Sequence, residues 1–370
     1  MNASVSWKDV RLLMPAIKRA RVGCHEIAKG IVLEVIEEHS WKDHSHIHGS
    51  LPDDEPFETG FETGPIYSFY CEDSYVDVRS GTTIVDGQVV REPAFRSYVF
   101  PTAAELGDAK VLDPQRVVLP LASAKMRNYC RYWTDSIAKL FVYQRSSQLR
   151  SLVGAGRGDV VAPKLKLSFQ RQAADLLEQH TSIWTQKKTR LIRGRTMNAT
   201  GIVFGGQHVG RIVGDFSDYL RSVIPASTTP DPASSGLLYV SRNEAKMRRV
   251  LNEDAILPAL RDLGFEIIRP GEMPLAAQIE RFRAAKVILA PHGAGLTNIL
   301  FCRPDVTLIE IFPRGGVHGS MFMRIASQRN FTYYFVVGES VGTVWSENNP
   351  NNADIVLDPA SFVSFVRQVI

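Results

Sequence analysis

The residues best suited to chemistry gather in the last third of the sequence. Pro291-His292-Gly293-Ala294-Gly295 forms a glycine-rich corner between two apolar runs, Val287 to Ala290 and Thr307 to Phe312. A strand, a glycine turn and a helix opening present backbone N–H groups and a positive dipole end to an anion such as a phosphate. Gly293 and Gly295 are expected to take left-handed angles and to let a ligand approach closely. Ser241-Arg242 follows the run Leu237 to Val240. The planar fork of an arginine suits bidentate contact with phosphate oxygens. Glu310 lies within the second run, and a carboxylate near a strand end is the usual partner of ribose hydroxyls.

Two other groupings have plainer readings. His39, His44, His46 and His48 fall in one short run that could hold zinc or another divalent ion, although a polar edge or loop is favoured. Gln186 to Arg195 carries five basic residues. Such a run is usually a solvated face, but it could also meet an anionic polymer or a lipid surface, giving peripheral membrane association.

The elements that must position the corner follow from periodicity. From Leu237 onward, apolar strands alternate with helices: Leu237 to Val240, helix Glu253 to Leu263 with Asn252 as N-cap and Gly264 as stop, Phe265 to Ile268, and helix Leu275 to Ala285. After the corner come Thr307 to Phe312, helix Met321 to Gln328, strand Tyr333 to Val337, and a last helix opened by Asp358-Pro359. This alternation predicts a parallel, doubly wound nucleotide-binding domain. Upstream, the pattern is β from Ile66, with Asp86-Gly87 as a hairpin turn. A helix is expected from Asn128, with Arg131 and Asp135 one turn apart as a solvated ion pair. The Ser/Thr/Pro-rich 225–236 reads as a linker.

At 370 residues, two domains are the default. A hydrophobic content of 44% with 22% charged residues describes a globular chain with a substantial core. The net charge of +4 is too mild to argue for nucleic acid. No apolar run is long enough to span a membrane, and the N-terminus lacks a signal-peptide pattern. The four cysteines are scattered, without a C-x-x-C pair, which fits a reducing cytoplasm. Neither the G-x-G-x-x-G of an NAD site nor the G-x-x-x-x-G-K-S/T of an ATPase is present.

Taken together, Tyr239-Val-Ser241-Arg242, Arg248-Arg249-Val-Leu-Asn252-Glu253-Asp254, Leu263-Gly-Phe265, Pro291-His292-Gly293-Ala294-Gly295-Leu296-Thr297-Asn298, Glu310 and Pro313 resemble glycosyltransferase family 61 in order and spacing. The resemblance is strong over about residues 235–313. It extends weakly to Asn128–Leu140 and to Phe169-Gln170-Arg171. It implies a GT-B fold, with two Rossmann-like α/β domains facing across a cleft, and inverting transfer of a sugar from a nucleotide diphosphate donor, such as a UDP-sugar, without metal or cofactor. A setting in capsule or other cell-surface polysaccharide assembly would follow.

On that reading, residues 1–65 pack on an acceptor-side domain, 66–224. Residues 237–352 bind the donor, and 353–370 form a C-terminal helix. Ser241, Arg242, Asn252, His292 to Asn298 and Glu310 would contact the donor, and Asn128 and Arg131 the acceptor. The family helix has a histidine where this chain has Arg131, and arginine cannot serve as a base near neutral pH. Asp135 is therefore the expected base, with His292 and Glu253 as rivals. Glu253 could instead be a helix-dipole carboxylate, and His292 a tether that shapes the corner. A subunit that binds nucleotide or glycan without turnover is the alternative.

Overall fold

The computed structural model describes residues 66–85, 102–147, 158–199, 213–226, 235–316, 321–342 and 350–370, a few positions within them apart, and the backbone of short strands elsewhere. The chain divides into two compact units, one of Met1–Ser40 with Glu62–Ile212 and one of Trp41–Phe61 with Val213–Ile370.

The second unit is built on a parallel sheet. Its strands lie in the spatial order Glu266–Ile268, Leu237–Val240, Val287–Pro291, Thr307–Pro313 and Thr332–Val341, each neighbour parallel to the next. In chain sequence this is 2-1-3-4-5, a doubly wound order. The strands are near-continuous apolar runs because both faces are covered; Leu289, Ile309 and Ile311 are fully enclosed against Ile256, Leu260 and Val366 of the flanking helices. Asp354–Val356 joins the far edge antiparallel to Glu339–Val341.

The helices start and stop where the sequence marks them. Glu253–Asp262 ends ahead of Gly264, whose φ of 90° is easily reached only by glycine. Pro359–Val369 is capped by the Asp358 carboxylate, which accepts the Ser361 N–H at 2.9 Å. Two expectations change. Asn252 sits at the cap position, but its side chain bonds the Leu357 backbone in both directions instead of capping the helix. The helix after the glycine corner is a 3₁₀ segment, Ala294–Phe301.

The first unit is mixed. Ile183–Gln186, Gly158–Pro163, Val117–Pro120 and Leu191–Ala199 are parallel neighbours in the order 3-2-1-4, as in half of a Rossmann sheet. Beyond them the sheet continues antiparallel through the twelve-residue strand Ile66–Asp77 and the hairpin that pairs Val85 with Gln88. The expectation of a Rossmann-like first domain thus holds only for its parallel half. The hairpin turn chemistry of Asp86-Gly87 and the aromatic run Tyr67–Tyr70 favour antiparallel pairing instead.

Boundaries also shift from the expected 66–224. Helix Val213–Val223 belongs to the second unit, and so does the short strand Ile47–Gly49, which pairs with Tyr333–Phe335. An exposed sheet edge is a ready template for such a strand.

One glycine controls how the C-terminal strand meets the sheet. A Cβ on Gly338 would stand 2.4 Å from Ile355 Cγ2 and 2.9 Å from the Val356 carbonyl oxygen. Gly338→Ala should therefore destabilise the protein by about 1–3 kcal/mol in urea denaturation, the scale of overpacking. Gly271→Ala, whose Cβ meets nothing within 4 Å, serves as the control and should show no comparable loss.

Candidate functional site

In the second unit the chain order reverses between Leu237–Val240 and Val287–Pro291, the place where open α/β sheets bind ligands at strand carboxyl ends. Ser241-Arg242 leaves one of these strands and His292-Gly293 leaves the other. Local architecture at each exit explains the residue types.

At the first exit, the buried Glu253 carboxylate accepts hydrogen bonds from Tyr239 Oη at 2.7 Å, from Ser241 Oγ at 3.0 Å and from Asn243 Nδ2. Burial and the adjacent carboxylate hold the Tyr239 phenol well above its ordinary pKa, so it stays a donor. Glu253 thereby fixes the turn that carries Arg242, and Ser241 serves the same turn.

Arg242 is half-buried. Its Nη2 donates to the Met247 carbonyl at 3.2 Å, and its guanidinium lies against Gly293, where an added Cβ would fall 1.8 Å from Nη1. Gly293 is in extended backbone at φ 169°, and Gly295 is not among the residues with positive φ. The expected left-handed angles are therefore absent. Gly293 is needed for the space that the guanidinium occupies.

A second arginine stands nearby. Arg248 has φ 57°, an unusual angle for a residue with a side chain. Burial pushes the Arg242 pKa down to about 10, with the positive charge of Arg248 adding to the effect and Asp354 opposing it. Arg248 is lowered too, by burial, against a favourable contribution from Glu310. The Nε atoms of both arginines are buried without a hydrogen-bond partner. Among the described residues, neither arginine has a carboxylate within ion-pair distance. The neighbouring Arg249, by contrast, is paired with Asp354 at 2.6 Å. Two half-buried cations with no carboxylate at ion-pair distance among the described residues suit the approach of an anion.

At the second exit, His292 Nδ1 meets Glu310 Oε1 at 2.5 Å, and Tyr333 Oη donates to Glu310 Oε2 at 2.6 Å. Glu310 is fully enclosed, and its carboxylate is engaged by His292 and Tyr333. The imidazole is stacked on Phe312 at 5.4 Å and flanked by Phe322. These contacts fix the ring's tautomer and direction. The first amides of the 3₁₀ segment, at Ala294 and Gly295, have no intrahelical carbonyl to bond. Leu296, Thr297 and Asn298 point into the core; Asn298 Nδ2 donates to Gln278 at 3.2 Å. They support the corner from behind.

In the first unit, Asn128 caps the expected helix by accepting the Arg131 N–H at 3.1 Å. The helix widens into a π-turn over Tyr132–Ile137. Within that turn, Asp135 meets Arg131 at 3.5 Å and accepts from Thr134 Oγ1 at 2.9 Å. Burial raises the Asp135 pKa, and Arg131 and Thr134 only partly offset it. Behind it, buried Lys139 donates to Asn198 at 2.9 Å and to the Ala122 carbonyl at 3.2 Å.

Of the basic run, Arg190 is held by Asp77 and Glu105, Arg193 by Asp73, and Arg195 by Tyr70. The described part of the run is thus an ion-paired face. The side chains of the histidine run lie outside the described residues. Among the described residues, no helix is long and apolar enough to cross a membrane, and no group of three metal-ligating side chains occurs.

Three residues with notable surroundings were given no role by the sequence alone. Arg248 looked like its neighbour Arg249, and only its backbone angle and lack of an ion pair set it apart. Tyr333 and Lys139 read as ordinary strand and helix positions.

Comparison with known proteins places this geometry in context. Residues 197–309 match the family model described as Glycosyltransferase 61. Alpha-1,3-arabinosyltransferase XAT3 of Oryza sativa subsp. japonica is 31% identical over 144 residues, 36% of this chain and 24% of the relative. Alpha-1,3-arabinosyltransferase XAT2 of the same organism is 29% identical over 160 residues, 40% of this chain and 27% of the relative. Beta-1,2-xylosyltransferase XYXT1, again of that organism, is 30% identical over 126 residues, 32% and 26% respectively. The matches therefore span about a quarter of the length of these relatives.

The contact between Arg242 and Gly293 offers a clean test of the anion site. The clashing atom is the end of a flexible side chain, so Gly293→Ala should leave the melting temperature nearly unchanged while displacing the guanidinium. Calorimetry with inorganic pyrophosphate should show affinity reduced by about tenfold or more, the scale of a lost charge-assisted contact. Unchanged affinity would remove Arg242 from the site.

Proposed function

We propose, from the match of residues 197–309 to the model of glycosyltransferase family 61 and from the half-buried pair Arg242 and Arg248, that this chain is an inverting glycosyltransferase of GT-B type using a nucleotide diphosphate sugar. The observation that carries the reading is the arginine pair at the topological switch point. A leaving nucleoside diphosphate gains negative charge as the glycosidic carbon–oxygen bond breaks. Two guanidiniums, with the unbonded amides at Ala294 and Gly295, would receive that charge. Because the guanidiniums supply the positive charge that a divalent ion would otherwise bring, transfer should proceed without metal. A uridine diphosphate sugar is the proposed donor. The relatives named for arabinosyl and xylosyl transfer favour a pentose and a polysaccharide acceptor. They are plant proteins and lend no support to a capsule setting.

In the reaction, the acceptor hydroxyl loses its proton to a base as its oxygen bonds the anomeric carbon. The bond to the diphosphate breaks on the opposite face, and its electron pair leaves with the phosphate oxygen. Asp135 is the proposed base, because burial raises its pKa and so makes it a stronger proton acceptor than an exposed carboxylate. Glu253 is committed to three donors and serves as a positioning group. His292, oriented by Glu310, is proposed to contact the donor. Arg131, paired with Asp135 where the family has histidine, favours a second reading, a subunit that binds the nucleotide without transfer.

Arg242→Ala and Arg248→Ala should each weaken binding of uridine diphosphate by about 1.5–3 kcal/mol in calorimetry, with EDTA present throughout. A requirement for a divalent ion would contradict the metal-free proposal. Product formation over a panel of nucleotide sugars separates the two readings, since binding without turnover favours the second.

Asp135→Asn should lower turnover by about 10²–10⁴-fold and remove the acidic limb of the rate profile. A carboxyl whose folded pKa is raised contributes stability below its unfolded pKa and loses it as pH rises through the folded value. The same substitution should therefore leave stability at neutral pH equal or higher. A sharp loss of stability there would show a structural role for Asp135.

A further inference from the structure

Arg248 holds its left-handed angle in a loop that has almost no regular structure of its own. The strain must be held by something outside the loop. What holds it is a short C-terminal segment. The Arg249 N–H donates to Asp354 Oδ1 at 2.8 Å, and the Arg249 guanidinium donates twice to Asp354 Oδ2, at 2.6 and 3.1 Å. The Ile355 N–H donates to the Arg249 carbonyl at 2.7 Å, and the Leu251 N–H to the Ile355 carbonyl at 2.8 Å. Asn252 closes the zipper with bonds to the Leu357 carbonyl and N–H at 2.7 and 3.1 Å. Asp354 is itself buried and pinned at a sheet edge by pairing with Val341.

We propose that Asp354 is a positioning residue for the diphosphate site: by binding both the backbone and the side chain of Arg249, it locks the preceding Arg248 in the conformation that presents its guanidinium to the anion. The proposal rests on the diphosphate reading given above and extends it to the C-terminal segment. Asp354 does not touch the anion in this account.

The sign of its effect separates positioning from electrostatics. Asp354 bears a negative charge close enough to favour the charged form of Arg242. Were that charge its main influence, removing it would lessen repulsion and tighten anion binding. Were its role to place Arg248, removing it would weaken binding, and the loss would vanish once Arg248 is gone.

A double-mutant cycle on the full chain decides this, with uridine diphosphate and inorganic pyrophosphate as probes in calorimetry and thermal unfolding recorded for every variant. Asp354→Asn should weaken both ligands about five- to tenfold, within the range of coupling between contacting residues. In an Arg248→Ala background the same change should have no further effect. Tighter binding in Asp354→Asn would overturn the proposal in favour of simple charge repulsion. Equal losses with and without Arg248 would overturn it in favour of general destabilisation. Arg249→Lys, which keeps a charge for Asp354 but loses the fork, should give an intermediate loss coupled to Arg248 in the same way. Wild-type protein that binds neither probe would instead refute the diphosphate reading itself, and this proposal with it.

Discussion

The candidate site of the second unit turns on two guanidiniums held near one another with, among the described residues, no carboxylate at ion-pair distance from either. Withdrawing a cation from water is costly, and placing a second beside it adds repulsion. The cost is visible in the lowered pKa values of Arg242 and Arg248. A fold retains such an arrangement when a ligand supplies the missing charge, and stability given up in the free protein reappears as affinity. The constraint explains why the glycine corner needs Gly293, why Arg248 accepts an unfavourable backbone angle, and why the C-terminal segment is bound so closely to the loop before Glu253.

It also explains what the neighbouring carboxylates are doing. Glu310 lies close enough to favour the charged form of Arg248, but it is engaged by His292 and Tyr333, as Glu253 is by Tyr239, Ser241 and Asn243. Each carboxylate is thereby fully hydrogen-bonded in its own niche and leaves the arginines to an incoming anion. The same groups set the direction of the strand exits, so positioning and charge separation come from one set of contacts.

Much of this was legible in the sequence. The alternation from Leu237 onward set the parallel sheet, because strands buried on both faces must be apolar throughout and their helices amphipathic. Arg242 and His292 stand out in the sequence because they follow such strands directly. The inward roles of Glu310 and Asn298 were not legible, since a motif shows which residues recur together and not which way each points. Arg248 was hidden because its backbone angle does not follow from residue type, and the segment that bonds the adjacent Arg249, at Asp354 and Ile355, lies about a hundred positions away. The antiparallel half of the first unit was signalled at Asp86-Gly87, but the sheet it joins depends on pairing between Ile66–Asp77 and Leu191–Ala199, far apart in the chain.

The most direct test of the central claim is a crystal structure with uridine diphosphate bound. The phosphates should lie on the guanidiniums of Arg242 and Arg248, beside the amides at Ala294 and Gly295, with the ligand-free Nε atoms now donating to phosphate oxygens. A nucleotide bound elsewhere, with both arginines left as they stand without ligand, would contradict the account.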